Sequence, residues 1–503
     1  MDQTANQKTS IPSGTALSKW DKLITGNMIT KKIITPFTLA IIAFAIFFLY
    51  RGNHLLFGDN ALYAYIISIK DFDYVAIHTG YYLLGYLFHH LFSFFVDISV
   101  DKSLILMSNI FGVVGVVFTY LLSEKIIGNK ESGKLCALIM LFSGTYLFHS
   151  IHASIYVIQT AFIMASMYFF YINRNLLSGT LFSFSVLLTP GSIFVGPFYV
   201  FAIIKEKKPI QDIALFVLGV LVVYLPIFAL IYKELLWGTR GLLVTLRNPV
   251  FSITEGVNNW IYGLLKSFNI LFFFMIIGLV WIYFRRKDVL CLTLLMFLPQ
   301  IYLMTHCLGF QALAAYNLQI YIFFVILISF GLQAISEKKL SWSKPLFLIA
   351  YIVLSLIIWI GPDLLKPHLR FKNAFQNNII SFNNTIERNK DYVILADWGQ
   401  RMKYLYYSKT GNLTEQSSDK VLNLDDLSRA DLSKIINQHK NVYVIESYSP
   451  SFGAKIFLSQ KELDRRYREH SMKSKIEGMI KGIQLSEFWE DNGLLIYKVN
   501  KLR

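Results

Sequence analysis

An aspartate at position 59, histidines at 78, 149, 152 and 306, and arginines at 240 and 247 are the side chains best suited to chemistry in an otherwise apolar sequence. Asp59 follows Gly58 and opens the run Ala61, Leu62, Tyr65, Ile66 and Ile69, which has helical spacing. A carboxylate there either caps that helix or serves as a reacting group. His78 begins the stretch His78-Thr79-Gly80-Tyr81-Tyr82, whose two tyrosines carry rings suited to a membrane interface. Arg240 and Arg247, with Lys233, are either exposed loop charges or partners for an anionic headgroup or phosphate. His149 and His152, with Tyr156 one turn further, are interfacial or structural histidines or, less commonly, ligands; His306 is a further candidate.

These residues need a membrane scaffold to hold them. The 503 residues are 54% hydrophobic and 16% aromatic, with a mean hydropathy of +0.48, outside the range of soluble globular chains. The formal charge of +16 is spread in short clusters between apolar runs, the pattern of cytoplasmic loops rather than of nucleic-acid binding. Cys136, Cys291 and Cys307 lie in or beside apolar segments and show no metal-ligand spacing. Eleven segments are apolar enough to be candidate spans: 34–50, 103–122, 134–149, 155–172, 176–189, 191–204, 210–232, 265–284, 289–305, 315–335 and 344–361. Thr189-Pro190-Gly191 predicts a tight hairpin between the fifth and sixth.

Basic residues set the expected orientation. Lys31 and Lys32, then Lys125, Lys130 and Lys134, Arg174, Lys205, Lys207 and Lys208, Arg285 to Lys287, and Lys338, Lys339 and Lys344 fall in alternate connections. The connections 149–154, 189–192 and 306–314 carry no Lys, Arg, Asp or Glu. The N-terminal tail, 1–30, is therefore expected in the cytoplasm and the C-terminus outside. Counting Gly80 to Val96 as a span would reverse every later connection. It is expected instead to be an interfacial helix within a first outer loop, 51–101, that carries Asp59 and His78. Residues 233–260 are expected to form a second outer loop.

After Gly361-Pro362 the apolar runs stop, and 362–503 has 23 Lys plus Arg against 17 Asp plus Glu. A separate soluble α/β domain is expected there. Its predicted elements are strands at 392–396 and 442–445, helices at 399–408, 427–438 and about 460–481, and a terminal hairpin around Asp491-Asn492-Gly493. Asp397-Trp398-Gly399 is expected to begin a helix. No Walker, H-E-x-x-H, G-x-S-x-G or G-x-G-x-x-G pattern occurs, so the usual signals of ATP-driven transport, zinc proteolysis and nicotinamide chemistry are missing. The expected fold is thus a polytopic α-helical membrane protein with a C-terminal extracytoplasmic α/β domain.

Gly58-Asp59 with its following helix, His78-Thr79-Gly80-Tyr81, and Leu84-Gly85-Tyr86-Leu87-Phe88 together resemble the first outer loop of C-type glycosyltransferases. The bacterial branch related to protein O-mannosyltransferases has G-D-S, H-P-P-G-Y and L-G-x-L-F patterns there. Ala153-Ser154-Ile155-Tyr156 resembles that branch's A-E-V-Y, and Asn248-Pro249 occupies a comparable loop. Two departures stand out: the proline pair after His78 is absent, and Ser154 replaces an acidic residue. The resemblance implies a membrane domain over 31–361 that moves a sugar from a polyprenyl-phosphate donor to a hydroxyl of a lipid, glycan or protein acceptor at the outer face of a bacterial inner membrane. It implies Asp59 as the catalytic group. His78, Tyr81, Tyr82, Arg240, Arg247, His149, His152 and His306 are the candidate substrate contacts. No cofactor is required by this scheme, and a divalent metal is not indicated. A lipid-linked-glycan binding or flipping protein, or a glycan ligase or polymerase, are the alternatives.

Overall fold

The computed structural model describes residues 35–52, 58–70, 78–247, 253–306, 317–336, 343–357, 374–386, 391–410, 419–447, 472–480, 483–491 and 494–501. The helices of the first 360 residues are α1 (Pro36–Leu49), α2 (Gly58–Ile69), α3 (Thr79–Ser93), α4 (Val100–Ile127), α5 (Lys130–Leu141), α6 (Gly144–Ile151), α7 (Ile155–Tyr171) and α8 (Asn175–Leu188). After a 3-10 turn at Pro190–Val195 come α9 (Gly196–Glu206), α10 (Ile210–Arg247), α11 (Ile253–Phe268), α12 (Leu271–Arg285) and α13 (Lys287–His306). A second 3-10 turn, Leu318–Ile320, leads into α14 (Tyr321–Ser336) and α15 (Ser343–Leu354). Every one of the eleven apolar segments falls mainly on helix.

By length and composition, Val100–Ile127, Ile210–Ala229 and Leu318–Ser336 are able to cross a membrane; α5 and α6, bent by 65° at their junction, would make a fourth crossing if taken as one span. The remaining apolar helices are shorter, among them α1, α7, α8 and α12. Leu215, Val217, Leu218, Leu221, Val222 and Leu225 of α10 stand exposed, an apolar surface that water would penalise and lipid accommodates. Where helices touch, small residues let them close up. A Cβ on Gly278 of α12 would run into the Leu327 carbonyl oxygen of α14, and one on Gly331 of α14 into that of Phe274 of α12. Gly179 and Gly219 make the same reciprocal contact between α8 and α10.

The two ends of the helical bundle differ in chemistry. α4 has its first turn at Asp101 and its last at Ile126, a rise of about 40 Å, more than the roughly 30 Å of a bilayer core. At its far end Arg286 donates to the Ile126 carbonyl at 3.1 Å, and Asp288 pairs with Arg286 and, at 2.8 Å, with Lys205. Burial would raise the Asp288 pKa, but the hydrogen bonds and charges of Arg286 and Lys205 outweigh it and hold the carboxyl below the ordinary range. Lys208 donates to the Phe170 carbonyl and Asn173 nearby. The basic connections thus gather at one end. The uncharged stretches 149–154 and 189–192 lie at the other.

Three expectations are corrected here. Residues 233–247 are not loop: α10 runs on through them. Nothing between Pro226 and Arg247 stops a helix, and Asn248-Pro249 then disfavours helical backbone at the residue before proline. His149 and His152 do not sit in a loop: His149 is in α6 and His152 ends it, and both are buried. The expected hairpin at Thr189-Pro190 is present, made by a 3-10 turn in which the Thr189 hydroxyl accepts from Gly191 N–H, with Phe182 of α8 packed at 5.0 Å on Tyr199 of α9. The segment 265–284 is also divided, α11 ending at Phe268 and α12 starting at Leu271.

The C-terminal region has α16 (Ala374–Ile386), β1 (Tyr392–Ala396), α17 (Trp398–Lys409), β2 (Val421–Asn423), α18 (Arg429–Gln438), β3 (Asn441–Ser447), α19 (Met472–Met479), β4 (Ile483–Asp491) and β5 (Leu494–Lys501). They form a mixed five-stranded sheet in the order β2-β1-β3-β5-β4, with β1 parallel to β2 and β3, and β5 antiparallel to β3 and β4. The terminal hairpin and the strands β1 and β3 match the sequence pattern, while β2 and α16 had no clear signal in it. The helix expected over 460–481 is described only at Met472–Met479. Asp397 caps α17, its carboxylate accepting from Gln400 N–H at 2.7 Å.

Side chains alternate across this sheet with consequence. Val393, Leu395, Val442, Val444, Tyr497 and Val499 build a local core with α18 and α19. Tyr392, Ile394, Ala396, Tyr443, Ile445 and Ile496 face the other way and are continuous, through Met402, Tyr404, Tyr406 and Tyr407 of α17, with the apolar core of the membrane helices. The sheet is fused to the bundle through that helix.

Candidate active site

Helix α2 brings the site together. Asp59 lies in its first turn, within the helix rather than ahead of it, and its side chain is outside the described residues. Tyr63 follows four positions later on the same face. The Tyr63 ring packs at 4.8 Å from Tyr81, 5.7 Å from Tyr82 and 5.7 Å from His78, centroid to centroid. Three of the residues selected from sequence therefore meet around a fourth that was not singled out. The i, i+4 relation to Asp59 was the available signal for Tyr63.

His78 precedes α3 and its Nδ1 lies 2.8 Å from the Leu188 carbonyl at the end of α8. A carbonyl only accepts, so Nδ1 carries the proton. Burial holds the pKa below the ordinary 6.5, an effect that the bond to Leu188 only partly opposes. Burial thus favours the neutral ring, in which Nε2 is the acceptor. Gly80 makes this approach possible: a Cβ there would lie 2.7 Å from the Leu187 carbonyl carbon. Gly85 does the same one face further on, where a Cβ would meet Ile67 of α2 and Leu104 of α4 at 2.7 and 2.8 Å. The two glycines that stood out in the sequence are contact points of four helices. The Tyr81 hydroxyl is fully buried and has no hydrogen-bond partner among the described residues, a cost of about 1–3 kcal/mol unless a ligand or water meets it.

A second group lies at the same end of the bundle. Gly52, just after α1, donates its N–H to the Ile151 carbonyl at 2.7 Å, and a Cβ on it would come 3.0 Å from the His152 ring. The His152 ring packs, tilted, at 4.6 Å from Phe148, and its Nδ1 donates to the Phe148 carbonyl at 2.9 Å. His149 Nδ1 is 2.8 Å from the Ser154 hydroxyl, while its Nε2 is buried with no partner among the described residues. Ser154 N–H donates in turn to the Ser108 hydroxyl of α4 at 2.9 Å. Near the Thr189 turn, Gln159 Nε2 donates to Ser192 Oγ at 2.8 Å and to Gln319 Oε1 at 3.3 Å. These amides were not foreseen, because their partners lie 33 and 160 residues away.

The helical backbone places His306 at the end of α13 and Arg240 and Arg247 in the last part of α10; their side chains lie outside the described residues. α13 starts at the basic end of the bundle, with Asp288 in its first turn, so His306 is carried toward the end that holds His78. Beyond the apolar stretch that closes at Ala229, residues 230–247 add about 27 Å of helix. Among the described residues no three His, Cys, Asp or Glu lie close enough to hold a metal ion.

A bundle of apolar helices with a mixed sheet packed through α17 onto α2 is an arrangement that solved structures share. The solved structures with this arrangement include ArnT from Cupriavidus metallidurans, bound to undecaprenyl phosphate and in the apo state. Each matches with a TM-score of 0.54 at 11% identity, over 96% of this chain and 98% of that one. The archaeal oligosaccharyltransferase AglB from Archaeoglobus fulgidus, in complex with an inhibitory peptide and a dolichol-phosphate, matches at a TM-score of 0.48 and 11% identity, over 92% of this chain and 74% of that one. No family model matches the sequence, and no curated protein does. At 11% identity the likeness to ArnT establishes a shared fold.

Proposed function

We propose that this protein is a membrane glycosyltransferase that moves a sugar from a polyprenyl-phosphate donor to an acceptor hydroxyl at the outer membrane face, with inversion. The observation that carries it is the position of Asp59, one helical turn before a tyrosine ring that packs on His78, Tyr81 and Tyr82. The shared fold with ArnT, whose structure holds undecaprenyl phosphate, supports a lipid-phosphate donor. In the transfer the acceptor oxygen bonds to the anomeric carbon as the bond to the phosphate oxygen breaks. The hydroxyl proton passes to Asp59, and the bonding pair leaves with the phosphate. Arg240 and Arg247 are the cations assigned to that phosphate, with His78, His149, His152 and His306 as further contacts. No metal is required by this scheme. Eleven spans, a cytoplasmic N-terminus, and an outer placement of 362–503 complete the proposal.

The test is Asp59→Asn in the purified full chain, incubated with radiolabelled polyprenyl-phosphate hexose and compared with wild type. Asn caps or begins a helix about as well as Asp but takes no proton, so label release should fall by about 10² to 10⁴ with donor binding kept. Retained release would remove Asp59 as the base. Stoichiometric binding without release in the wild type would identify a lipid-glycan binding or flipping protein instead.

A further inference from the structure

The neighbours of α2 come from both ends of the sequence. α3 and α4 flank it, yet its most extensive packing partner among the described elements is α17, from the sheet region. Ala61, Leu62, Tyr63, Ala64, Ile66 and Ile67 are all buried, so α2 has no broad face left to solvent. One polar contact locks this arrangement. The Tyr406 hydroxyl of α17 donates to Asp101 Oδ1 at 2.8 Å, and the Asp101 backbone N–H donates to the same hydroxyl oxygen at 3.2 Å. Both residues are buried, Tyr406 at 1% and Asp101 at 6% exposure. Burial, reinforced by the Asp101 charge, lifts the Tyr406 pKa well above 10, so the phenol remains a donor. Two residues along α4, the Ser103 hydroxyl lies 2.9 Å from His89 Nδ1, which fastens α3 to the same turn. α2, α3, the start of α4 and α17 are therefore tied to one another.

We infer that Tyr406 is a positioning residue: through Asp101 and the packing of α17 on α2, the C-terminal sheet fixes the helix that begins Gly58-Asp59. The role in turnover rests on the proposed function of Asp59; the mechanical role does not.

The experiment uses the full chain in detergent with three variants, Tyr406→Phe, Asp101→Ala and Asp101→Asn. Loss of the hydroxyl should speed amide hydrogen exchange over 58–69 by about tenfold while leaving α14 unchanged, the scale of one charge-assisted hydrogen bond. The turnover number should fall by about tenfold or more with donor Kd unchanged, because a displaced base loses rate rather than binding. Asp101→Asn keeps an acceptor and should stay near wild type. Asp101→Ala should reproduce Tyr406→Phe, and the double variant should be no worse than either. Unchanged exchange over 58–69 in Tyr406→Phe overturns the clamp. Faster exchange with an unchanged turnover number overturns its role in positioning. Asp59→Asn, run alongside, separates the two ideas: if it retains turnover the base assignment fails, and exchange alone then decides the clamp.

Discussion

Replacing Gly80 by alanine probes how α3 is seated on the bundle. The added Cβ would stand 2.7 Å from the Leu187 carbonyl carbon and 2.8 Å from its oxygen, whereas ordinary contact begins at 3.4 Å. Both obstacles are backbone, so α3 must retreat by about 0.7 Å rather than a side chain rotating away. The same retreat would stretch the 2.8 Å bond from His78 to the Leu188 carbonyl to about 3.5 Å, where it contributes little. Overpacking costs about 1–3 kcal/mol and the weakened bond up to about 1 more, so Gly80→Ala should lose roughly 1–4 kcal/mol. Gly196, at the start of α9 with open space around it, provides the control. The assay is the thermal midpoint in one detergent, followed by donor turnover at a temperature where both variants remain folded. On the proposed function, turnover should drop by about ten- to a hundredfold, as His78, Tyr81 and Tyr82 move with α3 away from Tyr63 of α2. If Gly80→Ala melts with Gly196→Ala and turns over like wild type, α3 is not seated on Leu187 and Leu188 as described.

Lys403 provides a pH test. Burial pushes its pKa down to about 8, with Asp397 partly opposing the shift. Between about 8 and the ordinary 10.5 the unfolded chain holds the proton that the folded chain has released, so stability should rise with pH across that window, by up to about 3 kcal/mol. Below pH 8 both states are protonated and this contribution is flat. Thermal midpoints measured through the window should show the rise in wild type and lose it in Lys403→Met; an identical slope in both would reject it. Orientation is tested at the two ends of α4, where Asp97 and Lys130 are exposed. In intact cells an impermeant thiol reagent should label Asp97→Cys and spare Lys130→Cys, and labelling of Lys130→Cys would overturn the assigned sides.

Local signals were legible in the sequence wherever one stretch decides its own structure. Apolar runs gave the helices of the bundle, Asp397 announced α17, and Asp491-Asn492-Gly493 marked the turn between β4 and β5. Gly80 and Gly85 stood out as motif glycines, but their reason, the approach of α3 to α8, α2 and α4, requires the packed structure. His149 and His152 were misplaced because an uncharged stretch between apolar runs looks like a turn; only the fold shows α6 buried there. The helix through Arg240 was missed for the opposite reason, since its charges suggested a loop although nothing in its backbone did. The separate C-terminal domain was expected from composition alone. Composition cannot report that alternate residues of β1 belong to different cores.

The bond between Tyr406 and Asp101 joins residues 305 positions apart, and the ribosome makes them in that order. At about 5–20 residues per second, Asp101 exists for roughly 15 to 60 s before Tyr406 has been synthesised. Through that interval the helix of Ala61 and Ile67 lacks its largest neighbour, although the bundle beneath it is already being assembled. A nascent chain interrupted before residue 398 would hold its membrane segments and still leave this helix uncovered. Completion of translation thus becomes the event that covers this helix, and for roughly 15 to 60 s an unfinished copy is distinguishable from a finished one.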